Sequence, residues 1–263
     1  RVPQLLCVDD NPANLLLVET LLSDLGAAVV AVDNGPDALE AVKRHSFDLV
    51  LMDVQMPGMD GRQTTEAIRQ WENDTGALPL PIVALTAHAL ANEKRALLQA
   101  GMDDYLTKPI SERQLAQVVL KWTGLTLRSQ PQAQPPSPPR AVPAEVPTTL
   151  PEQVFPVLDE EEGLRLAAGK ADLAGELLSM LLGSLDADRV AIRQARQAGD
   201  RQLQIERVHR LHGATRYCGV PQLRNACLQS ETLLKQNSPA AEAALDELDA
   251  AIERLGHAAH VAS

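Results

Sequence analysis

Five polar residues stand where short apolar runs end. Asp9 and Asp10 follow LLCV, Asp53 follows LVLM, Thr86 follows PIVAL and Lys108 follows DYLT. In an open parallel sheet the carboxyl ends of the strands face one crevice, which is the usual ligand site. Three carboxylates gathered there repel one another unless a cation lies between them. A lysine and a hydroxyl beside them bind an anion. Together they describe a magnesium-assisted phosphoryl acceptor site, with an aspartate as the acceptor. The nearest rival chemistry, that of aspartyl-nucleophile hydrolases, needs a second acid two residues on. Val54 and Gln55 follow Asp53 instead.

A second candidate lies in ERVHRLHGATRYCGVPQL, residues 206–223. On a helix, Val208, Leu211 and Cys218 turn inward. His209 lies one residue off that stripe, so its ring is expected largely in water. Gly213 is beside it at i+4. Glycine inside a helix costs about 1 kcal/mol relative to alanine, a cost explained if something bulky must approach His209. His212 and Arg216, at i+3 and i+7, are placed to hydrogen-bond a phosphoryl group. His212 is the competing nucleophile, but it sits closer to Arg216 and lacks the i+4 glycine, so His209 ranks first. His45, His88, His257 and His260 have no such surroundings and read as surface residues.

The elements that must position these residues follow from the apolar periodicity. Strands are predicted at about 4–8, 27–32, 48–52, 81–85 and 103–106, and helices at about 12–25, 36–45, 61–72, 90–100 and 111–122. Five strand–helix units over residues 1–124 predict an α/β domain built on a five-stranded, parallel, doubly wound sheet. Asn11 can cap the first helix, with Pro12 in its first turn and Gly26 at its stop. Residues 125–156 differ: eight of the 21 residues from Pro131 to Pro151 are proline. Such a stretch buries no core and reads as an extended linker. Residues 157–263 repeat apolar residues at i+4, as in Leu173, Leu177, Leu181 and Leu185. A short leading helix near 159–168 and four long amphipathic helices predict an all-α four-helix bundle.

Composition narrows the function. The net charge of −11 argues against nucleic acid, and two each of Trp, Tyr and Phe leave no base-stacking platform. Three cysteines without CxxC spacing fit a reducing compartment, not a disulfide frame or a zinc site. No apolar run approaches the roughly 18–20 residues of a membrane span, so no membrane contact is expected of this segment. It begins at Arg1, directly before a strand, and reads as a piece of a longer protein.

The spacing of VDDN (8–11), LMDVQMPGMDG (51–61), ALTAHA (84–89) and YLTKPI (105–110) makes residues 1–124 resemble the receiver domain of two-component signalling. The resemblance implies a CheY/flavodoxin-like fold with Asp53 as phospho-acceptor. It implies Mg²⁺ held by Asp10, Asp53 and the backbone carbonyl of Gln55, with Asp9 acting through water. Thr86 and Lys108 would contact phosphoryl oxygens, Lys108 from the rim and without a core role. Tyr105 would report the state of the Thr86 loop, and a cis bond would precede Pro109.

Residues 206–223 resemble the histidine-containing phosphotransfer (HPt) domain, whose pattern is HxLKG with a later glycine. His209, Leu211, Gly213 and Gly219 match, and His212 replaces the family's lysine. The order of parts resembles the C-terminal half of tripartite hybrid sensor histidine kinases of the GacS/BarA type. The implied function is a phosphorelay: Asp53 accepts phosphate from the upstream kinase domain of the same parent protein and passes it to His209. His209 then donates it to the receiver of a separate response regulator. With no glycine-rich nucleotide box, the segment would relay phosphoryl groups and not draw them from ATP. It would be cytoplasmic, in a parent of the bacterial inner membrane. The alternative is a response regulator whose helical half is a non-phosphorylated interaction or dimerisation output.

Overall fold

The structure, a computed structural model, describes residues 1–87, 91–127 and 155–262. Most of the expected linker, together with His88, lies outside them.

The first half alternates strand and helix: β1 (Gln4–Val8), α1 (Pro12–Asp24), β2 (Ala28–Val32), α2 (Gly35–Arg44), β3 (Leu49–Asp53), α3 (Gly61–Thr75), β4 (Ile82–Thr86), α4 (Ala91–Gln99), β5 (Asp104–Thr107) and α5 (Glu112–Thr123). The strands form one parallel sheet in the order β2-β1-β3-β4-β5. β3 and β4 are buried along their whole length and β1 in all but its first residue, because helices cover both faces of the sheet. That is why they read as continuous apolar runs. Asn11 caps α1, accepting the backbone N–H groups of Ala13 and Asn14. Asp60 and Gln63 close a capping box on α3, as Ser111 and Gln114 do on α5. A β-carbon on Gly61 would stand 2.1 Å from the backbone oxygen of Asp53. Only glycine lets α3 begin so close to the end of β3.

The second half is helical: α6 (Glu160–Leu166), α7 (Ala171–Gln197), α8 (Arg201–Thr215), α9 (Pro221–Lys235) and α10 (Ala241–Ala262). The expected stripes turn inward: Leu173, Leu177, Leu181 and Leu185 on α7, and Leu245, Leu248, Ile252 and Leu255 on α10, are all buried. Arg189 and Arg193 of α7 clasp Asp249 of α10 in paired hydrogen bonds.

The two halves are packed together. One apolar cluster runs from Leu17, Leu21 and Ile110 of the first half to Leu173, Leu177 and Val208 of the second. α1 packs against α7 and α8. A separate cluster, containing Leu6, Val50, Ile68 and Ile82, fills the opposite face of the sheet.

Candidate functional site

The sheet order puts β1 beside β3 with their chain connections leading to opposite sides, and the crevice opens there. Asp9 and Asp10 follow β1, and Asp53 ends β3. Carboxylate oxygens of all three lie within 4.8 Å of one another. Asp9 is buried and accepts the Asn11 backbone N–H at 2.9 Å and Asn14 Nδ2 at 3.1 Å from each of its oxygens. Lys108 follows β5 and reaches back, with Nζ 2.7 Å from Asp9 Oδ2 and 3.0 Å from Asp53 Oδ1. Its side chain is only 6% exposed, so it is not a rim residue: it bridges two buried carboxylates. The peptide bond before Pro109 is cis.

Burial pushes the carboxyls of Asp10 and Asp53 up to about 6, despite the opposing pull of Lys108. Burial also works against the Lys108 ammonium, but Asp9 and Asp53 more than offset it and hold the group above its ordinary value. One ammonium among three carboxylates leaves an excess of negative charge that fits a hard divalent cation with oxygen ligands. Asn14 also lines this cleft, its Nδ2 on Asp9 and its Oδ1 buried without a hydrogen-bond partner among the described residues. The donor set therefore suits Mg²⁺, with Gln55 also lining the cleft.

The other wall of this narrow cleft comes from α8: His209, Arg210, Gly213 and Arg216 line it with Asp9, Asp10, Asp53 and Lys108. His209 is not largely in water. Its side chain is 26% exposed, because the first half covers α8 and Glu231 of α9 holds the ring. Glu231 Oε1 lies 2.8 Å from His209 Nδ1, and Oε2 lies 2.8 Å from His212 Nδ1. Lys235 Nζ adds a third contact at 2.5 Å. A carboxylate cannot donate, so each Nδ1 carries the proton. In neutral His209 the lone pair then sits on Nε2. Burial raises the Glu231 carboxyl, but its histidine and lysine partners outweigh burial and hold it well below the usual carboxylate range.

His212 does not line the cleft. It is 7% exposed and bound to Glu231. On a helix of 3.6 residues per turn, i+3 falls about 60° to one side of His209 and i+4 about 40° to the other. His212 therefore turns toward α9 and Gly213 toward the first half, while Arg216 at i+7 stays in line with His209. A β-carbon on Gly213 would meet Asn11 Nδ2 at 3.3 Å. Thr86 is buried at the end of β4 and lines a wider groove continuing past His209, and its carbonyl accepts the Lys108 backbone N–H at 2.8 Å. Tyr105 lines neither, and Lys94 Nζ lies 4.5 Å from its ring centre.

Residues 5–120 match the response regulator receiver domain family and residues 176–258 the Hpt domain family. The sensor histidine kinase GacS of Pseudomonas protegens is 70% identical over 255 residues, which is 97% of this chain and 27% of GacS. The chain belongs with the receiver–Hpt segments of GacS/BarA-type hybrid sensor kinases. BarA of Escherichia coli is 37% identical over 93% of this chain and 26% of its own length. The chain thus spans little more than a quarter of these curated relatives. Among solved structures, the receiver domain of a Pseudomonas aeruginosa sensor histidine kinase is 38% identical. It covers 48% of this chain and all of its own, with a TM-score of 0.43, and holds a magnesium ion in its active-site cleft.

The receiver and Hpt domains make this a phosphorelay protein, and a purely interactive helical output is not favoured. Among the described residues, no helix is long and apolar enough to cross a membrane. Glu231 has no counterpart among the residues singled out from sequence. The signal was a charge on an apolar stripe, since Glu231 follows Leu223 and Cys227 on the buried side of α9.

Proposed function

We propose that this chain carries a phosphoryl group from an upstream kinase histidine to Asp53, from Asp53 to His209, and from His209 to the receiver of a separate response regulator. The observation that carries the proposal is that Asp53 and His209 line one cleft. In the first step an Asp53 carboxylate oxygen attacks phosphorus, the donor's N–P bond breaks, and an acyl phosphate forms. In the second, the Nε2 lone pair of His209 attacks and the P–O bond to Asp53 breaks, returning the carboxylate. The phosphorylated ring keeps its Nδ1 proton on Glu231, whose negative charge offsets the ring's positive charge. Lys108, Arg216 and the Thr86 hydroxyl are the groups placed to offset charge on the phosphoryl oxygens. Asp9, Asp10, Asp53 and the Gln55 carbonyl would hold Mg²⁺, which when bound neutralises phosphoryl charge at the acceptor.

The working units are residues 1–124 and 157–263, joined by 125–156. The family matches, the end of α5 at Thr123 and the start of α6 at Glu160 support these bounds. The kinase activity belongs to the parent protein, an inner-membrane sensor with this segment on its cytoplasmic side, as the likeness to GacS and BarA supports.

Label transfer from a kinase domain tests the relay. The wild type should collect base-stable, acid-labile phosphohistidine. His209→Gln should stop at base-labile label on Asp53, and Asp53→Asn should take up neither. Wild-type labelling of Asp53→Asn would overturn the assignment of the acceptor.

A further inference from the structure

The turn after α8 carries a residue that the transfer chemistry does not use. Tyr217 is one of only six aromatic residues in the chain, and it is 1% exposed. Its phenol oxygen accepts the backbone N–H of Ile110 at 3.1 Å, across the junction between the two domains. Ile110 precedes the Ser111 cap of α5, so this N–H lies outside the helix. Ile110 is buried and stands two residues past Lys108, the residue that touches both Asp9 and Asp53. Tyr217 stands eight residues past His209. One side chain of the Hpt domain is thus tied to the receiver segment that carries the active-site lysine.

Two further polar contacts across the junction, among the described residues, are weaker. Asn11 Nδ2 lies 3.5 Å from the Arg210 carbonyl, at the limit of a hydrogen bond. The ion pair of Lys170 with Asp24 is exposed, and exposed pairs contribute little. Tyr217 combines a large, rigid ring, packed in the apolar cluster shared by both domains, with one directed hydrogen bond. Residues of this kind anchor interfaces.

We propose that Tyr217 is the docking anchor that sets the receiver's register on the Hpt domain for transfer from Asp53 to His209. The proposal rests on the phosphorelay reading. Tyr217 touches no reacting atom, so it is a positioning residue. Its ring supplies contact area and its hydroxyl selects where the Lys108 segment settles relative to α8.

The test uses the full chain with Tyr217→Phe, which keeps the ring and removes the hydroxyl. Labelled acetyl phosphate with Mg²⁺ serves as donor. In a His209→Gln background, label on Asp53 should form at the same rate with or without Tyr217→Phe. With His209 intact, base-stable label should form about three- to tenfold more slowly, as expected from losing one hydrogen bond. Amide exchange followed by NMR should show the Ile110 N–H losing protection while Val208 and Leu211 keep theirs. Transfer at the wild-type rate in Tyr217→Phe would overturn the proposal. So would loss of protection spread along α8, which would make Tyr217 a core residue of the bundle. If the wild type forms no base-stable label, the relay fails and the anchor's role in transfer fails with it. A still-protected Ile110 N–H would then show that docking survives and the chemistry does not.

Discussion

A side chain on Gly213 would press on Asn11: the first atom of any such side chain would stand 3.3 Å from Asn11 Nδ2. The helix surface next to His209 is therefore in contact with the loop that carries Asp9 and Asp10. The absent β-carbon leaves room for the receiver.

Gly213→Leu should accordingly leave the Hpt domain folded, with a helix-propensity gain of up to about 1 kcal/mol. It should slow transfer from Asp53 to His209 at least about tenfold, equivalent to about 1.4 kcal/mol of lost docking. The rate of phosphohistidine formation and the thermal midpoint are the two measurements. An unchanged rate would remove the steric role of this glycine.

Glu231→Gln replaces the acceptor shared by two rings with a group that both donates and accepts. The Nδ1 proton of His209 is then no longer dictated by a carboxylate. Transfer to His209 should fall about tenfold or more, while Asp53 still takes phosphate from acetyl phosphate. Nitrogen chemical shifts report the tautomer directly. A ring still protonated at Nδ1 and a wild-type rate would together show that Glu231 orients nothing.

Lys108→Ala leaves Asp9 and Asp53 buried without their ammonium. Breaking such a buried pair costs on the order of 3 kcal/mol. That loss should appear in denaturant melts run with a chelator, and millimolar Mg²⁺ should recover much of it by taking the lysine's place among the carboxylates. Phosphate acceptance at Asp53 should be blunted even with Mg²⁺ present. Identical melts of variant and wild type in chelator would contradict the bridging role.

The buried His212 ties stability to pH. Burial holds its folded value below the ordinary 6.5 or so; the hydrogen bond to Glu231 opposes the shift, and Arg216 and His209 add to it. Above about pH 6.5 both folded and unfolded His212 are neutral. As pH falls through that value the unfolded chain takes a proton that the folded chain declines, so stability falls. Asp10 and Asp53, raised to about 6, act in the opposite sense over part of that range. The readout is therefore the difference between wild type and His212→Gln in denaturation midpoints at pH 7.5 and 5.5. The variant should lose less on acidification, and parallel curves would reject the assignment.

Strands β1, β3 and β4 were legible almost to the residue because they are apolar on both faces and lead to polar residues with work to do. Asp53 and Thr86 end their strands, with the expected bounds displaced by a single residue. The α7 and α10 stripes were legible for the same reason, since leucines at i+4 have only one way to turn. What stayed hidden depends on a partner from elsewhere in the chain. The cover over His209, the burial of Lys108 and the turning of His212 toward α9 are set by Glu231, by the paired aspartates and by the docked receiver. No local spacing encodes these contacts.

The loop after β1 already lies over the surface of α8 that presents His209. Two bodies cannot share that surface, so a second protein can reach the imidazole only after the chain's own receiver has moved aside. The fold thereby works as a turnstile. One passenger is admitted at a time, because the surface that presents His209 is the surface the Asn11 loop covers.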